Sequence, residues 1–254
     1  MCLIVFSYKT HPVYSLILAA NRDELYTRPT RKAQFWDEDP SILAGKDLKG
    51  GGTWLGVSRS GKIAALTNYR DLKTIKENAP TRGKIVKDFL ITGDSTESYL
   101  QDLSRRGSRY NGFNLIAGTP ENLFYYNNQD HVIASIQNGN HAISNAFLDT
   151  PWPKTETAIQ EFEQTVESSS PGEEELFEML RNTKQYPLEE LPKTGLPENM
   201  EQAVSSIFIK TPGYGTRCST LLFVDNHRKL TFLERSYQAG TNEPDSTVRY
   251  SLQL

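Results

Sequence analysis

Apolar residues in this chain gather in short unbroken runs more than in helical rhythms. "CLIVFSY" (2–8) and "SLILAANRD" (15–23), joined by "KTHPVY", carry Val, Ile, Leu and aromatic residues over six to nine positions and read as buried strands. "TWLGVSRSGKIAALTNYR" (53–70) places Ser60-Gly61 between two such runs, which predicts a tight hairpin. Further strands are predicted at "FNLIAGT", "LFYYN", "HVIASI", "HAISNA", "SSIFIK", "CSTLLFVD", "KLTFLERS" and "VRYSLQL". About a dozen strands require more than one sheet. Four stretches in the middle, Thr81 to Leu90, Ser95 to Ser104, Lys154 to Ser168 and Gly172 to Arg181, space apolar residues three or four apart among charges, as helices lying on a sheet do. "SSSPGEEE" supplies a helix start whose glutamates suit the positive end of the dipole. "LDTPWPKTETA" supplies another, with Asp149 or Thr150 as cap and Pro151 or Pro153 in the first turn. With no repeat, low-complexity tract or linker, the pattern predicts one α+β domain over residues 1–254 in which helices cover layered antiparallel sheets.

Composition narrows the function. Hydrophobic residues make up 37% and charged residues 23%, which places the chain among folded globular proteins and not disordered ones. A net charge of -3 and a pI near 5.9 argue against a nucleic-acid partner, because a phosphate-binding groove needs clustered Lys and Arg. Cys2 and Cys218 are too few for a disulfide framework and suit a reducing compartment. The start of the chain lacks a secretory pattern, and "SLILAA" is too short for a membrane span, so the expectation is a cytoplasmic protein without integral membrane contact. His11, His131, His141 and His227 stand singly, with no metal-binding spacing. The glycines of "KGGGTWLG" lack the GK[ST] of a phosphate loop and read as a tight entry to the following strand.

Cys2 has two readings. It is a small apolar residue opening a strand, or, if Met1 is lost, a nucleophile whose own α-amino group, with a reference pKa of about 7.7–8.0, serves as its base. The second reading needs no histidine. Asn21, Arg22 and Asp23 end an apolar strand, where four polar residues in a row with Glu24 mark a cleft or a solvated loop. There Arg22 would stabilise a thiolate and Asp23 would hold the amine. Asn68 in "ALTNYR" and Asn145 in "AISNAF" sit at the polar ends of strands and suit an oxyanion hole. Arg217 in "PGYGTRCST" opens a strand and could reach the same cleft. Taken singly, each is also an ordinary turn or capping residue.

Together "MCLIVF", "LILAANRDE", "GGTWLGVSRSGKIAALTNYR", "YNGFNLIA", "ISNAFLDTPWPK", "PGYGTRCSTLLFVD" and "FLERS" resemble the NRDE family, also called the Transport and Golgi organization family. That family in turn looks like the N-terminal nucleophile hydrolases of the choloylglycine hydrolase and penicillin V acylase group. The resemblance implies a four-layer αββα sandwich of two antiparallel sheets flanked by helices, with Cys2, Arg22, Asp23, Asn68, Asn145 and Arg217 at matching site positions. In those hydrolases the Arg and Asp are separated by two residues, whereas Arg22 and Asp23 are adjacent and in a regular strand point to opposite faces. Either the strand bends or bulges, or only one of them enters the site, and Asn21 then shares Asp23's side as a binding residue. Cys218, directly after Arg217, is expected to point away from the site into the core.

The implied activity is cysteine amide or thioester hydrolysis or acyl transfer on a small molecule, with no cofactor required. The alternative is a binding protein using the same pocket, since the family has been linked to haem trafficking and to acyl-CoA or lipid homeostasis. Cys2 or His11 would be the iron ligands for haem, although no CxxCH or axial pair is present. A trafficking scaffold finds no amphipathic basic helix or lipidation motif. The terminal "VRYSLQL" reads as an edge strand, which leaves the oligomeric state unknown.

Overall fold

The apolar runs do form strands. The structure, a computed structural model, describes residues 2–168 and 171–254; Met1 and the Ser169-Ser170 part of the "SSSPGEEE" helix start lie outside it. Two compact units divide the chain, one formed by the chain up to Thr27 with Asn138–Gln253, the other by Arg28–Gln137 with Leu254.

The first unit is built on a seven-stranded antiparallel sheet among the described residues. Its order is β10 (Gly139–Ile143), β1 (Cys2–Tyr8), β2 (Tyr14–Leu25), β12 (Tyr214–Asp225), β13 (Lys229–Tyr237) and β14 (Pro244–Gln253), with the short β11 (Lys210–Thr211) paired to β12. The predicted edge strand is thus β14. On one face Leu3, Val5, Ile17, Ala19, Leu221 and Phe223 pack against α3 (Pro153–Val166) and α4 (Glu173–Leu180). Helix α3 presents Ala158, Phe162 and Val166 at four-residue spacing, which lines them along one side. Its N-cap is Trp152, whose N–H donates to Thr155 Oγ1 at 3.0 Å, and not Asp149 or Thr150. Asp149 instead binds back to β10, its carboxylate accepting the Ala142 N–H at 2.9 Å and its own N–H donating to the Ala142 carbonyl at 2.8 Å.

One predicted strand in this unit fails. "SSIFIK" is irregular except at Lys210, because its main-chain groups are satisfied outside a ladder: Phe208 N–H donates to Asn182 O (2.8 Å) and Ile209 N–H to Thr216 Oγ1 (2.9 Å). The six-residue α5 (Glu198–Ala203) just before it was not signalled by periodicity.

In the second unit a seven-stranded sheet among the described residues runs in chain order. Its strands are β3 (Thr30–Phe35), β4 (Ile42–Asp47), β5 (Leu55–Ser58), β6 (Ile63–Asn68), β7 (Phe113–Thr119), β8 (Asn122–Asn127) and β9 (Ile133–Ser135). The predicted hairpin joins β5 to β6, with Gly61 at φ 85 in the left-handed region that glycine tolerates. Helices α1 (Gly83–Ile91) and α2 (Thr96–Arg106) lay Ile85, Val86, Phe89, Leu100 and Leu103 on this sheet. Each unit therefore pairs an antiparallel sheet with a layer of helices, the α+β class and the two flanked sheets expected from the sequence. Among the described residues no helix is long and apolar enough to cross a membrane.

Candidate functional site

The first unit brings Cys2, Arg22 and Asn145 to one end of its sheet. β1 and β2 pair in register from Tyr8↔Leu16 to Cys2↔Arg22, so the cysteine and the arginine sit directly opposite each other and share a face. On the other side of β1 the ladder to β10 ends at the pair Ile4 and Ile143, and the chain leaves β10 through Ser144 and Asn145 beside the Cys2 end of β1. Ser144 ties this corner, its hydroxyl donating to Cys2 O at 3.0 Å with Asn145 Oδ1 at 3.3 Å. Asn145 and Cys2 are both buried.

Arg22 and Asp23 divide between the two faces as the alternation requires, since β2 shows no register break against β1 here. The break falls instead in β12, which pairs Thr216 with Asp23 and then Cys218 with Arg22, leaving Arg217 as the extra residue of a bulge. The bulge overturns the expectation for Cys218. Two consecutive residues, Arg217 and Cys218, oppose the Arg22 position, and the Cys218 thiol feels both the Arg22 charge and Cys2. Cys218 is therefore buried on the same face as Cys2, where burial and the neighbouring Glu234 push its thiol well up. Arg217 is half-buried, donates to Leu25 O at 2.9 Å and lies within electrostatic reach of Arg22 and Glu24. Arg22 also lies 3.9 Å from Glu24.

Asp23 reaches the cysteine through its main chain. Its N–H is hydrogen-bonded to Cys2 Sγ, while its carboxylate lies on the other face and accepts the Thr216 hydroxyl at 2.7 Å. Burial pushes the Cys2 thiol up and the Asp23 charge adds to this, whereas the Asp23 N–H and the Arg22 guanidinium pull it down. The resting thiol is thus protonated at neutral pH and needs a base. Removing the guanidinium in Arg22→Met raises the thiol pKa further, so alkylation of Cys2 by iodoacetamide at pH 7.5 slows several-fold and its pH–rate profile moves to higher pH. An unmoved profile would separate the arginine from the thiol.

Asn21 goes elsewhere. Its side-chain amide donates to Leu180 O (2.8 Å) and Ile207 O (3.0 Å), and its Oδ1 accepts the Ser219 hydroxyl at 2.5 Å. It ties β2 to the end of α4 and to the irregular 204–209 segment, and is fully buried. Asn68 closes β6 in the second unit, half-buried and paired with Phe113. Two buried residues of the first unit escaped the sequence reading: Thr216, which bonds Asp23, and Lys154, in the first turn of α3. Among the described residues no group of three or more His, Cys, Asp or Glu side chains is placed to hold a metal.

The Transport and Golgi organisation 2 family matches residues 1–239, a span that holds each of these positions. The chain belongs to this family. A human relative in it, the Transport and Golgi organization protein 2 homolog, is 39% identical over 259 residues and covers 93% of either chain. The Drosophila melanogaster Transport and Golgi organization protein 2 is 31% identical over 263 residues, 93% of this chain and 92% of that one. Among solved structures, a Caenorhabditis elegans N-acylethanolamine-hydrolyzing acid amidase ortholog is similar with a TM-score of 0.49 and 10% identity, over 87% of this chain and 92% of that chain.

Proposed function

We propose that this member of the family is an N-terminal cysteine hydrolase, an amidohydrolase or acyl transferase acting on a non-peptide amide or a thioester, with Cys2 as nucleophile once Met1 is removed. The observation that carries this reading is the row of Cys2 and Arg22 across the sheet end, with the Asp23 N–H on the sulfur and Asn145 tied to the Cys2 main chain through the Ser144 hydroxyl. In this row the freed α-amine of Cys2 takes the thiol proton, and the sulfur attacks the substrate carbonyl. The Asn145 amide and a main-chain N–H stabilise the oxyanion. Collapse of the tetrahedral adduct breaks the bond to the leaving group, which takes the proton from the α-ammonium. Water, or an acceptor nucleophile, then releases the acyl group from sulfur. A thiol kept protonated by burial is the case in which a base on the same residue is needed.

The test is intact-protein mass spectrometry before and after brief iodoacetamide exposure at neutral pH, with mapping of the label. The expected result is a mass lacking Met1 and fast labelling at Cys2 but not at Cys218. Retained Met1 removes the amine base and with it the reading.

A second reading, a protein that binds its ligand without turnover, is favoured by the low exposure of Cys2, 7%. For haem, His11 would first have to release its existing bonds. Its Nδ1 accepts the Val13 and Tyr14 N–H groups at 3.1 and 3.2 Å, and its Nε2 lies 2.9 Å from Ser168 O. An acylated ligand held near Cys2 without such a demand is the stronger form of this reading, and slow labelling at Cys2 with Met1 absent would support it.

A further inference from the structure

Asn145 is buried, yet it belongs to no strand or helix: it stands in the irregular turn that leaves β10 after Ile143 and reaches α3 at Pro153. A side chain carried on a turn keeps a fixed place only when other bonds lock the turn. One end is tied at Ser144, whose hydroxyl donates to Cys2 O at 3.0 Å. The other end is tied at Asp149. Its main-chain N–H donates to Ala142 O at 2.8 Å, its Oδ1 accepts the Ala142 N–H at 2.9 Å, and its Oδ2 lies 2.7 Å from His141 Nδ1. An ionised carboxylate only accepts, so the ring proton of His141 stands on Nδ1 and points at Asp149. The His141 ring lies against Phe6, its register partner on β1, with centroids 5.2 Å apart. The clasp therefore reaches both β10 and the strand that starts at Cys2.

Neither the helix nor the local backbone accounts for an aspartate here. The N-cap of α3 is Trp152, so Asp149 does not serve the helix. Its φ is 58, in the left-handed region that side chains other than those of Asp and Asn seldom enter. We infer that Asp149 is a positioning residue for Asn145: with His141 it clasps the far end of the turn to β10 and so keeps the Asn145 amide beside Cys2. The clasp stands on the contacts above, and its consequence for catalysis rests on the hydrolase reading. A released turn takes the amide away from the place where the oxyanion forms, and losing one such donor costs about 10²–10³ in rate.

Three variants of the full chain test this. Asp149→Asn keeps an acceptor for the Ala142 N–H and tolerates the positive φ, Asp149→Gly accepts that φ without the clasp, and His141→Leu removes the ring partner alone. The first readout is hydrogen exchange of the Asn145 side-chain amide, set against main-chain amides of α3 and of the β1–β2 ladder. Losing bonds to a charged group speeds Asn145 exchange about tenfold or more in Asp149→Gly, while the α3 and ladder amides keep their rates. Asp149→Asn returns Asn145 close to the parent. If Asp149→Gly does not fold, His141→Leu takes its place, with a severalfold rise expected at Asn145. The second readout compares two reactions of Cys2. Acylation by p-nitrophenyl acetate passes through an oxyanion, whereas alkylation by iodoacetamide does not, so the ratio of the two rates falls about tenfold or more in Asp149→Gly and recovers in Asp149→Asn. An Asn145 exchange rate that stays in place, a rise shared equally by α3 and the ladder, or an unmoved ratio overturns the positioning role. If p-nitrophenyl acetate leaves the parent unlabelled, the hydrolase reading fails by itself and the exchange result alone decides the clasp.

Discussion

Asn21→Leu is expected to lower the unfolding free energy by about 2–6 kcal/mol, the cost of orphaning two buried carbonyls at roughly 1–3 kcal/mol each. Leucine fills the volume but donates nothing to Leu180 O and Ile207 O, both of which rely on the Asn21 amide. The third partner, the Ser219 hydroxyl, keeps the Tyr237 hydroxyl at 2.9 Å and adds little to the loss. Urea unfolding measures this, with the midpoint falling and the m-value holding. A loss below about 1 kcal/mol would mean that the carbonyls find other donors. The effect reaches the site, since Asn21 precedes Arg22 on β2 and fixes the strand against the segment that leads to Thr216 and Asp23.

Gly52→Ala is expected to cost several kcal/mol, on the order of a severe overpacking, while Gly83→Ala costs clearly less, although the two glycines face each other. A Cβ on Gly52 would lie 2.3 Å from the Gly83 carbonyl carbon, 2.4 Å from its oxygen and 2.7 Å from the Lys84 nitrogen, all main-chain atoms that cannot rotate away. Relief requires the loop to leave the start of α1. That breaks the hydrogen bond from Thr53 N–H to Gly83 O (3.1 Å) and strains the one from Asp47 N–H to Gly52 O (2.9 Å). A Cβ on Gly83 meets Thr53 O at 3.1 Å and Thr53 N at 3.2 Å, tight main-chain contacts but well outside the overlap at Gly52, and the cost of moving them by a few tenths of an ångström is offset by alanine's helix preference, at most about 1 kcal/mol over glycine. Thermal unfolding of the two variants side by side decides the matter; equal losses would show that the loop, and not the close approach, sets the cost. The phosphate-loop look of "KGGGTWLG" thus has a packing origin.

Much of this was legible in the sequence because burial follows periodicity. All four predicted helices lie where apolar residues recur at three- or four-residue spacing, and the Ser60-Gly61 turn marks its hairpin. β3 leaves no such mark, since "TRKAQF" buries only Ala33 and carries no apolar run. "SSIFIK" misled for the opposite reason: Ile207, Phe208 and Ile209 are buried as a strand would be, but by a segment whose polar groups bond to Asn182, Thr216 and Asn21. Residue types at the candidate site are visible, and alternation sets Arg22 and Asp23 on opposite faces, yet which residues meet across the strands is not. Which residue stands opposite Cys2 depends on register, and a bulge such as that at Arg217 leaves no mark in composition. A lysine among charged residues reads as solvated, and only the fold reveals that Lys154 is enclosed.

The order of strands in the first unit has a bearing on how the protein is made. β1 lies between β10 and β2, and β2 pairs on its far side with β12, so the β1–β2 hairpin gains its outer neighbours only when residues 139–143 and 214–225 have been synthesised. At about 5–20 residues per second, the leading end of the chain waits roughly ten to forty seconds before its sheet closes. The removal of Met1 that the proposed chemistry requires would fall in that interval, before the sheet around Cys2 is complete.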